Sequence, residues 1–150
     1  MSKRDLPLER IYSNAFKERG RDDVVKIDLF PVSDGELLTL TFESTDSPWR
    51  QGAWLKTDMG LIINEQECPS AVLWQDNAPK EVLIECRTKN GCMHVYNMWD
   101  RGLGPSSLAW SSGMLVEDLP NGRRYRCNDI GFETNFSKLV FRIERGSSAT

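Results

Sequence analysis

From residue 24 onward, the apolar residues of this 150-residue chain recur at every second position rather than at every third or fourth. That period belongs to strands with one face on a core. Val25, Ile27 and Leu29 alternate with Lys26 and Asp28, and Leu38, Leu40 and Phe42 alternate with Thr39, Thr41 and Glu43. Ser33-Asp34-Gly35 between these runs reads as the turn of a hairpin. AWLKT, GLIIN and AVLWQ follow as short strands, and Asp118-Leu119-Pro120-Asn121-Gly122 breaks a later run. In RRYRCND, Tyr125 and Cys127 take one face; in KLVFRIER, Leu139, Phe141 and Ile143 point inward. Helical spacing occurs only before residue 24, in Leu8, Ile11, Tyr12, Ala15 and Phe16, with Gly20 as its stop.

About nine or ten short strands with one short N-terminal helix imply an all-β fold, an antiparallel β-sandwich or jelly roll. A closed barrel is the structural alternative, and a parallel α/β fold lacks its helices. The reading is one β-sandwich domain over 1–150, with a helical or irregular lead-in over 1–23 and a frayed tail over 146–150.

The strongest turn signal is Asn90-Gly91, the favoured pair for a two-residue type I′ turn. Such a turn would set Cys86 opposite Val95, Arg87 opposite His94 and Glu85 opposite Tyr96. One face of this 81–100 hairpin, Val82, Ile84, Cys86, Thr88, Met93, Val95, Asn97 and Trp99, is then core. The other carries Leu83, Glu85, Arg87, His94, Tyr96 and Met98, apolar ground with a few polar groups, as ligand-binding faces have. Arg87, His94 and Tyr96 are the expected binding residues, with Glu85 and a loop tryptophan, Trp49, beside them. The Arg87 fork suits an anionic or polar group, Tyr96 and Trp49 offer stacking surfaces, and His94 can donate or accept. Among the other tryptophans, Trp74 and Trp99 are assigned to the core, and Trp110, like Trp49, is a candidate for exposure.

Composition removes several chemistries. Nineteen Lys and Arg against 22 Asp and Glu give a net charge of −3, which argues against broad electrostatic binding to nucleic acid or an anionic membrane. One histidine excludes metal sites built on two or more. Cys68, Cys86, Cys92 and Cys127 form no Cys-x-x-Cys pair, so free thiols are expected, with Cys86 and Cys127 in the core. No phosphate loop, dinucleotide fingerprint or Gly-x-Ser-x-Gly elbow occurs, and neither cofactor nor metal is expected. The N-terminus has no apolar run of signal-peptide length, which gives a cytoplasmic expectation. Arg124, Arg126 and Arg142 read as a solvated face paired with nearby acids.

In strand count and lack of helices the layout resembles the galactose-binding-domain-like and related jelly-roll sandwiches; the resemblance is one of fold and carries no site residue. The leading functional reading is a non-catalytic protein that binds a small polar molecule, a carbohydrate or a protein surface on the mixed face. The alternative is a cofactor-independent acid–base enzyme of isomerase, cyclase or lyase type, using His94 with Glu85 and Tyr96 in one cavity. The third is an inhibitor or immunity-type interaction protein with a flat apolar patch.

Overall fold

The computed structural model describes residues 8–132 and 135–146. Parts of the expected lead-in (1–7) and tail (147–150) therefore lie outside the described residues. The strands are β1 (Ile11–Tyr12), β2 (Val25–Pro31), β3 (Leu37–Thr45), β4 (Arg50–Ile63), β5 (Gln66–Trp74), β6 (Glu81–Cys86), β7 (Cys92–Asp100), β8 (Pro105–Ser107), β9 (Gly113–Leu119), β10 (Gly122–Asn128) and β11 (Leu139–Arg145). One helical turn, α1 (Asn14–Lys17), follows β1.

All pairings are antiparallel. In the order β2-β9-β10-β11-β3-β6-β4-β7 the strands close a ring of eight, sealed where β7 meets β2. β1, β5 and β8 are added to β2, β4 and β7. The architecture is thus all-β, of jelly-roll or sandwich type, with the closure that the barrel alternative anticipated. The expected helix is cut to one turn because Ile11 and Tyr12 pair with Ile27 and Val25 instead. The Ser13 hydroxyl then caps that turn by accepting from the Phe16 N–H at 3.2 Å.

Two expected hairpins do not form. β2 does not pair with β3, and β6 does not pair with β7. β6 and β7 lie one after the other along β4, with Cys86 opposite Leu61 and Met93 opposite Thr57. Both run antiparallel to β4, so the chain does not reverse at Asn90-Gly91. Only Gly91 of that pair takes a positive φ, 82°, whereas a type I′ turn needs two.

Long-range carboxylates decide the matter. Asp58, in a bulge of β4, accepts the Lys89 N–H at 3.0 Å, the Asn90 N–H at 3.2 Å and the Thr88 hydroxyl at 2.6 Å. Asp34, in the β2–β3 turn, accepts the Thr88 N–H at 3.1 Å. The β2–β3 turn, the β4 bulge and the 87–91 segment therefore form one seam, where strands change partners as sandwich corners do. AWLKT and GLIIN are consequently one strand of 14 residues, not two.

The core holds Leu38, Leu40, Leu55, Ile84, Val95, Tyr125, Phe141 and Ile143, all fully buried, and the expected core face of β6 and β7 is buried throughout. β2 departs from the apolar-in pattern. Its buried positions include Asp28 and Phe30, while Ile27 and Leu29 are only half-buried. The Asp28 carboxylate accepts from Tyr125 Oη at 2.6 Å, Arg10 Nε at 2.7 Å and Arg123 Nη1 at 2.9 Å, which satisfies a charge that burial would otherwise make costly.

Candidate functional site

Where β5 leaves the body of the sheet, a groove of about 710 Å³ opens between β5, the turn after it and β6. Val72, Leu73 and Trp74 form one wall, and Val82 and Leu83 form the other. Ile62 and Ile63 of β4 lie between, Ala78 and Pro79 of the turn line it as well, and Leu37 of β3 extends it. Among the described residues the only charged ones in its lining are Glu65, Glu81 and Glu85.

Local sequence builds this wall. Trp74 stands opposite Gly52 on β4, and a Cβ at Gly52 would lie 2.8 Å from the Trp74 ring. The missing side chain lets the indole lie flat on the strand. The Arg50 guanidinium covers the ring at 4.5 Å and is itself held by Asp76 at 2.8 Å. Trp74 is accordingly half-buried in the groove wall rather than in the core.

The residues expected from the sequence are dispersed. Glu85 is in the groove. Arg87 lines a second depression of about 430 Å³ beside the β4 bulge, and pairs with Asp34 at 3.3 Å. His94 faces outward on β7 but is only 6% exposed, with Lys56 of β4 and Leu29 of β2 as its strand neighbours rather than Arg87. Tyr96 stacks on Trp54 with ring centroids 4.4 Å apart. Burial pushes the Tyr96 phenol up, against a hydrogen bond with Ser107 that pulls it down. Trp49 lies in the loop before β4 under the Arg101 guanidinium, 5.4 Å from the ring. The mixed face of an 81–100 hairpin therefore does not exist as a surface. Of His94, Glu85 and Tyr96, Glu85 alone lines the groove, and none of the three lines the second depression.

Face assignments along single strands fare better. Trp99 is 1% exposed, as assigned, and Trp110, a candidate for exposure, is 62% exposed. Cys86 and Cys127 are buried, and all four cysteines are free thiols. Burial pushes the Cys86 thiol up to about 12 and the Cys127 thiol well above its usual range, which suits inert core residues. Arg124 and Arg142 converge on Glu43, each at 3.0 Å, and Arg126 pairs with Glu117 at 3.4 Å. Lys26 is half-buried, donates to the Ala109 carbonyl and lies 3.2 Å from Ser112 Oγ; burial pulls its pKa down to about 8. It ties down the 109–112 turn and does not line the groove.

The groove residues Leu37, Ile62, Val72, Trp74 and Leu83 were not singled out as a site. The signal was present: Ile62 and Ile63 are apolar at both parities of one strand, and Leu83 is apolar on the face given to polar groups. Also unassigned was the inner polar network, in which Gln51 Nε2 and Ser47 Oγ donate to Asp129 at 3.0 Å and Asn97 Nδ2 donates to the Asn128 carbonyl at 3.0 Å.

The chain matches no protein-family model, no curated protein and no solved structure. Among the described residues no cluster of three or more potential metal ligands occurs, and no helix is long and apolar enough to cross a membrane.

Proposed function

We propose that this chain is a non-catalytic binding domain and that the groove between β5 and β6 is where it binds. One observation carries the reading: a concave, mainly apolar surface of about 710 Å³ bears a few carboxylates, a size and composition typical of ligand sites. Leu37, Val72 and Leu83 are 39%, 38% and 48% exposed there, an apolar concentration that a solvated sheet has no need of. Of the residues the sequence put forward, Glu85 belongs to this reading.

The test is a titration with Nile red, a neutral dye whose emission shifts to the blue in apolar surroundings. Wild-type protein should bind it saturably. Leu83→Arg, at an exposed position outside the core, should fold normally and lose most of that binding. Absence of saturable binding, or equal binding by the variant, would overturn the reading.

A further inference from the structure

The groove's charge and its bordering strand point to its occupant; the argument rests on the groove being the binding site. Twelve ion pairs link acids and bases among the described residues, yet Glu65 and Glu85 take part in none of them. Glu67, on the strand facing Ile62 from the side opposite Glu85, is likewise in no ion pair. Glu67 itself lines the neighbouring depression with Lys56 and Arg87, so within the groove it is Glu65 and Glu85, neither in an ion pair, that lie beside the apolar Ile62 and Leu83. Among the described residues no Lys or Arg lines the groove. An apolar floor between carboxylates without cations is complementary to an apolar anchor with cations on its flanks.

The second observation is backbone. β5 forms one wall of the groove, and among the described residues it pairs as a strand only with β4, which leaves its other edge without a strand partner there. Most of its residues are exposed or half-buried. The Trp74 carbonyl already accepts the Asn77 and Ala78 N–H groups at 3.1 and 2.8 Å, so the part of this edge left for pairing beside the groove is Ser70 to Leu73. An open strand edge next to side-chain pockets is how proteins take up extended peptides, with backbone pairing for affinity and alternate side chains for selection.

We propose that the groove receives an extended peptide segment that adds as a strand to the free edge of β5. The segment sets an aliphatic or aromatic anchor on Ile62 and Leu83, and its flanking lysines or arginines meet Glu65 and Glu85.

The test uses the full chain and fluorescein-labelled synthetic peptides, read by anisotropy at low salt. The first peptide alternates lysine and valine around a central leucine. The second replaces each lysine by glutamate, and the third is the lysine peptide with alternate backbone amides N-methylated. The lysine peptide should bind at least about tenfold more tightly than the glutamate peptide, and salt should narrow the gap. The double substitution Glu65→Gln with Glu85→Gln should weaken it about tenfold while the variant unfolds in urea at the wild-type midpoint. N-methylation should abolish binding. Equal binding of the lysine and glutamate peptides would overturn the charge selection, and undiminished binding of the N-methylated peptide would overturn strand addition. Nile red binding without any peptide binding would overturn the peptide proposal while the groove remains the site. Failure of both dye and peptides would remove the groove reading itself. Dimerisation of the wild type that Leu83→Arg abolishes would make a second copy the occupant and overturn the proposal.

Discussion

Two Asn-Gly pairs in this chain have opposite fates. Asn121-Gly122 belongs to a true reversal: Gly122 pairs back to Leu119, and β10 runs antiparallel beside β9. Asn90-Gly91 is no reversal, and β7 continues in the direction of β6. The pairs need glycine for different reasons. Gly91 has a φ of 82° with nothing nearer its absent Cβ than the Val32 carbonyl oxygen at 3.7 Å. Gly122 has no positive φ, but a Cβ there would sit 2.0 Å from the Ile143 carbonyl oxygen. One glycine supplies a conformation and the other supplies space for a third strand.

What separates the two turns is what reaches them from elsewhere. At 121–122 the Asn121 side chain donates to the Arg145 carbonyl at 2.9 Å, and the Arg145 N–H bonds back to Asn121 O at 2.9 Å. These bonds secure a turn that the local sequence already favours. At 88–90 the carboxylates of Asp58 and Asp34 take up three amide hydrogens, among them that of Lys89, which a hairpin would pair across to Cys92. A local turn preference is outweighed when several backbone and hydroxyl hydrogens find charged acceptors together.

The largest expected effect is therefore on the space-making glycine. Gly122→Ala should cost at least about 3 kcal/mol in urea unfolding, since backbone must move to admit the methyl group. A cost below about 1 kcal/mol would mean that β10 and β11 can separate freely, contrary to the close approach. Asp58→Ala comes next. It strips acceptors from Lys89, Asn90 and Thr88 together and should cost about 1–2 kcal/mol, discounted for the exposure of the carboxylate. Gly91→Ala should cost about 1 kcal/mol, the strain of a left-handed residue without a clash. If Gly91→Ala proved as damaging as Gly122→Ala, the distinction between conformation and space would fail.

The seam and the hairpin should also differ in acid. The Asp34 carboxyl is held below its usual 3.8 by the Thr88 N–H first and Arg87 second. For Asp58 desolvation works upward, but hydrogen bonds from Thr88, Lys89 and Asn90 outweigh it and the net shift is also downward. Groups depressed on folding add stability that is full above the unfolded value and is lost as pH falls through the folded one. Below pH 3.8 the amide resonances of 88–90 should therefore shift, and their exchange protection should fall relative to that of 122–127, whose amides lie in backbone ladders with β9 and β11. Simultaneous loss in both regions would show that the carboxylates stabilise the whole fold rather than the seam.

The same contrast explains what could be read in advance. Alternation is a property of one strand, so the buried parity of β6, β7, β10 and β11 was legible: Ile84, Val95, Cys127 and Ile143 are all inside. Partnership is a property of two strands distant in sequence, and Asp58 reaches 88–90 from about thirty residues away, beyond any turn rule. The candidate site was less legible for the same reason. Glu85 and His94 share an outward parity but not a neighbourhood, because β4 rather than a hairpin partner lies beside each. On β2 the alternation was visible and its sense was not. Asp28 is inside only because Arg10, Arg123 and Tyr125 come from other elements to receive it.

The smallest effect falls on Arg87, the residue once expected to anchor a ligand. Its pairing with Asp34 spans 3.3 Å between side chains that are 52% and 60% exposed. Exposed pairs of this kind contribute little, so Arg87→Ala should change stability by no more than about 0.5 kcal/mol. Asp34→Ala removes the same ion pair, but it also takes the acceptor from the Thr88 N–H, a backbone group on a residue only 7% exposed. It should therefore be the more damaging of the two, and the comparison is best read by urea melts of both single variants and the double variant. If the seam is held by backbone amides bonding to carboxylates, the double variant should resemble Asp34→Ala alone, because Arg87 has no further role once its partner is gone. If Arg87→Ala matched Asp34→Ala in cost, the ion pair rather than the amide contact would be what fixes Asp34, and the account of why Asn90-Gly91 fails to turn would lose one of its two carboxylates.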